Sequence, residues 1–260
     1  LHAYKNPKHE IQLIKELKSL SVGIEIIASY QVTREWREYE RTSSTVLSGY
    51  VLPIAKKYLN NLQEKLKTKG LRDAPYIMQS NGGITSINDV KSNPITMVES
   101  GPASGVFGAI ALGNVINKKD IIVLDIGGTT AKCALVEITT NYKIEHSRIE
   151  AGYPIQTPVI DIVEIGNGGG SIAWIDKGGK MHVGPKSAGA MPGPAAYGRN
   201  GKNLTTTDAN IITGRIHPDY FLGGELQPDH NSIDKAAKPL CNQLKGSKED
   251  IAKGILRIAN

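Results

Sequence analysis

An α/β fold follows from three features of this sequence. A fully apolar strand over residues 121–124 runs into Asp125-Ile126-Gly127-Gly128-Thr129-Thr130 and resumes as a second strand over 132–138. Apolar residues recur at three- and four-residue steps over 46–66, the period of a helix with one buried stripe. Hydrophobic residues make up 40% and charged residues 22% of the 260, the composition of a folded chain with a core rather than of a disordered one.

The elements follow in order. Residues 11–20 form a short amphipathic helix, and 23–28 (GIEIIA) a strand. In the long helix the buried stripe is expected to be Val46, Leu47, Tyr50, Val51, Ile54, Tyr58, Leu62 and Leu66. Pro53 should kink it or start a segment of it, and Gly70 should stop it. Residues 75–79 (PYIMQ) form a buried strand that ends in Ser80-Asn81-Gly82-Gly83. Residues 102–117 form a helix dense in small residues, Gly105 and Gly108 among them. Each such glycine costs a helix roughly 1 kcal/mol against alanine, which tight packing beneath a site would offset. After the strand pair come strands near 143–149 and 172–176, then a helix over 250–259. Only 5 of the 28 glycines lie in residues 1–100, so backbone-dominated structure is concentrated in the rest. The boundary between two lobes is expected at 118–120. Residues 1–118 would then end one lobe with its connecting helix, and 119–260 would begin a second lobe with the DIGGTT hairpin.

Composition excludes several classes of function. The formal net charge is +6. Part of the excess sits in Lys56, Lys57, Lys65, Lys67 and Lys69, on the polar face of a helix. Aromatics are only 5% and do not interleave with basic residues, so no nucleic-acid groove is expected. No apolar run approaches the roughly 20 residues of a membrane helix, so no membrane partner is expected. Lys5, Lys8, Glu10, Lys15 and Glu16 interrupt any leader-like core at the start. Two cysteines, Cys133 and Cys241, make no disulfide framework and no metal-ligand spacing, which points to reduced thiols and a cytoplasmic location.

The strand–Asp125-Ile-Gly-Gly-Thr-Thr–strand segment carries the chemistry. Gly127 and Gly128 can take positive φ and present backbone N–H groups with no side chain in the way. Successive N–H groups facing one concavity bind an anion, and the Thr129 and Thr130 hydroxyls add donors. Asp125, at the strand end, can hold the water shell of a Mg2+ ion or orient a water nucleophile. The spacing is neither a Walker loop nor a dinucleotide fingerprint. Gly168, Gly169, Gly170 and Ser171 form a second donor-rich loop, with two readings open: phosphate binding, or a turn where two backbones approach closely. Ser80, Asn81, Gly82 and Gly83 line a cleft or make a plain turn. Asp208 is a cleft candidate; Asp208 and Asn210 are candidate helix caps, with Asp208 and Thr207 competing as N-caps. His182 and His217 lack partners at ligand spacing and are expected at the surface or satisfied.

The segment from "ESGPASGVFGAIALG" through "IIVLDIGGTTAKCALVEI" looks like the second half of the actin-like ATPase (ribonuclease H-like) fold. More closely, the chain resembles the hydantoinase A/5-oxoprolinase family, which includes N-methylhydantoinases. The carrying segments are "REYERTSSTVLSGYV", "MQSNGGITS", "ESGPASGVFGA", "LDIGGTTAKCALVE", "IGNGGGSIAWID", "VGPKSAGAMPGPAAYG" and "TTTDANIITGRI", in that order. The resemblance implies parts of two lobes and a central fragment of a larger, ATP- and Mg2+-dependent protein, inactive by itself. It implies hydrolysis of a cyclic amide of the hydantoin, N-methylhydantoin or 5-oxoproline type through phosphorylation of the ring carbonyl oxygen, with a possible second subunit as partner. A subunit of an ATP-dependent ketone carboxylase and a non-enzymatic actin-like ATPase module are the alternatives. By analogy Gly127, Gly128, Thr129 and Thr130 hold phosphate and Asp125 serves metal or water. Three positions depart from the family pattern: Lys132 stands where an acidic residue is usual, Met191 where Asp is, and Ala196 where Cys is. The missing carboxylates bear on activity, and a lysine at 132 could instead neutralise phosphate.

Overall fold

A computed structural model describes residues 2–20, 23–137, 144–148 and 152–260. Helices α1 (Lys8–Ser19), α2 (Ser29–Val32) and α3 (Glu38–Thr68) come first. The hairpin β1 (Tyr76–Met78)–β2 (Ile84–Ser86), α4 (Ile87–Ser92) and α5 (Ser100–Val115) follow. Next are strands β3 (Asp120–Ile126), β4 (Ala131–Glu137), β5 (Ile144–Arg148), β6 (Pro154–Ile160), β7 (Val163–Ile165), β8 (Ser171–Ile175) and β9 (Met181–Ser187). Helices α6 (Thr206–Ile212), α7 (His230–Leu244) and α8 (Lys248–Ala259) complete a mixed α/β chain. The described strands form small sheets: β1–β2, β3–β4–β7, β5–β6 and β8–β9.

Two compact units emerge, and the chain passes between them more than once. Leu1–Val123 with Ala134–Ile162 makes the first, and Leu124–Cys133 with Val163–Asn260 the second. This differs from a single boundary at 118–120. The division falls inside the β3–β4 hairpin, because the base of the hairpin and its tip bury different side chains.

In the first unit, Ile121, Val123, Ala134 and Val136 of the hairpin base pack with Ala103 and Val106 of α5 and Ile160 of β6. α3 runs unbroken through Pro53. Its buried residues are Arg41, Ser44, Ser48, Leu52 and Leu59. Half of the expected stripe is on the outside, with Val46, Tyr50, Ile54 and Tyr58 60% to 77% exposed, while Leu47, Val51, Leu62 and Leu66 are half-buried. The reason is the small serine row. Ser44 and Ser48 let β6 and its neighbours approach the helix backbone, and the Ser44 hydroxyl accepts from the Gln156 N–H at 2.7 Å. Residues 23–28 pair with no described strand and are irregular, so β-branched composition alone did not make a strand there. β1 is at a surface, with Tyr76 72% exposed. Nothing lies within 4 Å of a Cβ built at Gly101, Gly105 or Gly108, so these three glycines of α5 face open space within the described structure, whereas Gly113 is buried. The expected strand over 143–149 is described for 144–148 only.

The second unit has one core, formed mainly by α6, α7 and α8 around Leu204, Ala209, Ile233, Ala237, Ile251, Ala252 and Ile255. α8 starts at a capping box in which Ser247 and Asp250 exchange hydrogen bonds. Cys133 and Cys241 are free thiols. No helix of the described residues is long and apolar enough to cross a membrane.

Candidate functional site

The tip of the β3–β4 hairpin belongs to the second unit. The Gly127 N–H donates to the Thr130 carbonyl at 2.9 Å and closes the turn. The N–H groups of Gly128, Thr129 and Thr130 have no hydrogen-bond partner among the described residues. Gly127 and Gly128 do not have positive φ, contrary to expectation. Their value is the absence of a side chain, since Gly128 has nothing within 4 Å of a would-be Cβ. A row of free N–H donors on a closed turn is an arrangement that takes an anion.

The second glycine loop sits directly beneath this turn. The Gly169 N–H donates to the Gly127 carbonyl at 3.0 Å, and the Gly170 N–H to the Gly128 carbonyl at 2.6 Å. The Gly168 N–H donates to the Ser171 hydroxyl at 2.8 Å. These donors are therefore committed within the protein, and Gly168, Gly169, Gly170 and Ser171 brace the hairpin rather than offering N–H groups to phosphate. Of the two readings left open by the sequence, the close backbone approach is the one observed. A Cβ at Gly168 would lie 2.6 Å from the Gly127 carbonyl oxygen, and one at Gly170 2.8 Å from that of Gly128. From β9, the Ser187 hydroxyl approaches the Gly128 carbonyl oxygen at 3.3 Å and the Thr129 hydroxyl at 3.4 Å.

A cavity of about 430 Å³ opens beside the tip within this unit. Ile126, Gly127 and Gly128 line it together with Thr207, Asn210, Ile216 and Tyr220. Asp125 is exposed and is not part of the lining; strand alternation sends it to the opposite face from Ile126. Among the described residues no group of three His, Cys, Asp or Glu side chains could hold a metal ion. A single exposed carboxylate fits a Mg2+ ion that arrives with phosphate oxygens and keeps most of its waters, not a resident metal.

Asp208 occupies a different position from the one expected. It is fully buried and is the third residue of α6, whose N-cap is Thr205, not Thr207 or Asp208. Its carboxylate accepts from the Ala196 N–H at 2.8 Å, the Ala195 N–H at 3.2 Å, and the Thr205 N–H and hydroxyl, both at 2.8 Å. Burial pushes its pKa up, against the pull of these four donors. Ser80–Gly83 forms the β1–β2 turn of the first unit. The Ser80 hydroxyl donates to the Thr96 carbonyl at 2.7 Å, the Gly83 N–H donates to the Asn81 side chain at 2.9 Å, and Gly82 has φ +82. His182 is satisfied: its ring bonds the Asp176 carboxylate at 2.6 Å and stacks on Trp174, and this bond first of all holds the Asp176 carboxyl below the usual range. His217 lies at the surface, 3.7 Å from Asp219.

Lys132 does not face the turn. It stands opposite Glu164 in the β4–β7 register, with its ammonium 3.3 Å from the carboxylate. Lys132→Glu is expected to destabilise the second unit by up to about 1 kcal/mol through like charges across the strands. The double variant Lys132→Glu, Glu164→Lys should recover the loss, as urea midpoints would show. A double variant no better than the single one would mean that the pair does not set this cost.

The hydantoinase/oxoprolinase family model matches residues 41–260. An uncharacterized protein of Methanocaldococcus jannaschii is 40% identical over all of this chain and 40% of its own length. The caprolactamase alpha subunit of Pseudomonas jessenii is 31% identical over 98% of this chain and 37% of its own. Among solved structures, nucleotide-free acetone carboxylase superposes with a TM-score of 0.88 at 30% identity, over 99% of this chain and 37% of that one. The ATP-dependent caprolactamase of P. jessenii superposes with a TM-score of 0.69 at 29% identity, again over 99% of this chain and 37% of that one. The chain thus spans about 40% or less of the length of these relatives.

Proposed function

The chain belongs to the hydantoinase/oxoprolinase family, and from that premise we propose that it is part of an ATP-dependent enzyme that opens cyclic amides. The observation that carries the reading is the hairpin tip, with the N–H groups of Gly128, Thr129 and Thr130 unpaired and the turn braced from below. In this reading the two units are portions of the two lobes of an actin-like ATPase fold, and the tip cradles the phosphates of ATP. A lactam carbonyl is a poor electrophile. Transfer of the γ-phosphoryl group to the ring carbonyl oxygen, with ADP leaving, makes the ring carbon attackable by water. Cleavage of the C–N bond and release of phosphate then give the open-chain amino acid. The protein's task is to hold the phosphoryl group in line with that oxygen and to meet its negative charge with fixed donors. A Mg2+ ion, held through water by Asp125, would add charge stabilisation. Because the caprolactamase relative is a subunit, a partner chain belongs to the proposal.

The ketone carboxylase reading is the second one. The higher TM-score to acetone carboxylase favours it. Phosphate release from ATP should be measured in the full-length polypeptide with any co-purifying subunit. The panel is 5-oxoproline, hydantoin, N-methylhydantoin, caprolactam and small ketones, with and without bicarbonate. Release that depends on a cyclic amide, with ring opening, is expected. Dependence on ketone plus bicarbonate would select the carboxylase, and turnover indifferent to every compound would leave an ATPase module without either chemistry.

A further inference from the structure

We infer that the cavity beside the hairpin tip is the pocket for the ring acceptor, a small neutral cyclic amide, and that Asn210 is the residue that orients it. Calling the ligand the acceptor rests on the phosphoryl-transfer reading above; the pocket's preference for such a molecule is independent of it.

Three observations carry this. The first is charge. None of the described residues that line the cavity is charged, so away from the backbone donors of the turn a polyphosphate or carboxylate would lose its hydration there without gaining a counter-charge. A neutral ring loses little. The second is the pairing of surfaces. Ile216 and Tyr220 supply apolar lining, and the Gly127–Gly128 backbone of the turn lines the same cavity. A ring held there lies beside the turn where a phosphoryl group would be held, as transfer requires.

The third is Asn210. Its side-chain N–H₂ donates to the Thr206 carbonyl at 3.0 Å, which fixes which side of the head group is nitrogen. One N–H remains, and the side-chain oxygen has no hydrogen-bond partner among the described residues. A cyclic amide is locked in the cis form and presents C=O and N–H along one edge. A carboxamide offers the complementary donor and acceptor at the same spacing, so the two make a pair of parallel hydrogen bonds. A ketone or an N-alkylated lactam satisfies only one of them.

Saturation-transfer NMR with 2-pyrrolidone as the probe tests this on the 260-residue chain. Transfer to the ring protons is expected, and Ile216→Trp, which fills the cavity, should abolish it. N-methyl-2-pyrrolidone should bind about tenfold more weakly than 2-pyrrolidone, the weight of one hydrogen bond. In Asn210→Leu, judged folded from its amide spectrum, the two probes should bind alike. No transfer in the parent chain, transfer that survives Ile216→Trp, or displacement of the ring by adenosine would each overturn the pocket; the last would make it a base site. In the full-length polypeptide the two readings separate. Ring binding without ATP-dependent opening would keep the pocket and refute the reaction, whereas opening unchanged by Ile216→Trp would do the reverse.

Discussion

Gly168→Ala is expected to destabilise the second unit by about 1–3 kcal/mol and, on the proposed reading, to reduce ATP-dependent phosphate release by the full-length polypeptide at least tenfold. The added methyl would sit 2.6 Å from the Gly127 carbonyl oxygen and 2.9 Å from the carbonyl carbons of Gly128 and Thr129. All three are main-chain atoms, so no side chain can swing aside and the turn itself must move. The hydrogen bonds from Gly169 and Gly170 to Gly127 and Gly128 would lengthen with it. Gly128→Ala separates the two consequences. It meets nothing within 4 Å and has no positive φ, so the fold should tolerate it. Phosphate release should nonetheless fall, because a side chain then stands where the anion approaches. Gly105→Ala in α5 is the control for the substitution itself. Its Cβ also meets nothing, and a mid-helix alanine should stabilise by about 0.5–1 kcal/mol. Urea midpoints and a phosphate assay on the three variants decide the matter. If Gly168→Ala matched the parent in both, the close backbone contact would not be what holds the turn.

The hairpin was legible in the sequence because two signals coincide there: a run of apolar β-formers and a short turn with two adjacent glycines. Its support was not. Gly168–Gly170 announces flexibility and free donors, and only the through-space contact with Gly127 and Gly128 reveals that the donors are spent. The same limit appears in α3. The apolar period is present at Val46, Tyr50, Ile54 and Tyr58, but periodicity marks a face without saying what covers it. The buried face combines Leu52 and Leu59 with Arg41, Ser44 and Ser48, polar residues that hydropathy discounts. α7 carries a weak sequence signal, because two of its four buried residues are alanines and Pro239 lies within it. The sequence points to Asp208 and Thr207 as caps, and the structure uses Thr205. The pattern Thr205-x-x-Asp208 is a capping box read one turn too late. Asn210 reads in the sequence only as a candidate helix cap, and the cavity is what gives it a further role.

Asp208 yields the second large effect. Asp208→Ala would leave three buried N–H groups and the Thr205 hydroxyl without their acceptor. Each unsatisfied buried donor costs about 1–3 kcal/mol, so a total loss of at least about 3 kcal/mol is expected, a large share of a typical domain's stability. Asp208→Asn keeps one oxygen and turns one N–H₂ toward a donor, so its penalty should be smaller. Its comparison with the parent also depends on pH, in a direction set by burial. The folded-state pKa of Asp208 is raised, so on increasing pH the unfolded chain loses this proton first. The parent's contribution is therefore fully present below the ordinary carboxylate range and is lost as pH rises through the raised folded value. The stability gap between parent and Asp208→Asn should accordingly narrow from acid toward neutral pH. The cap carboxylates Asp89, Asp229 and Asp250 shift the opposite way, each held down first by a serine hydroxyl. They are common to both proteins and cancel in the difference. Urea midpoints of the two proteins across this range test the sign. A gap that widened with pH would mean that the four donors outweigh burial, and that Asp208 is a stabilised carboxylate rather than a strained one.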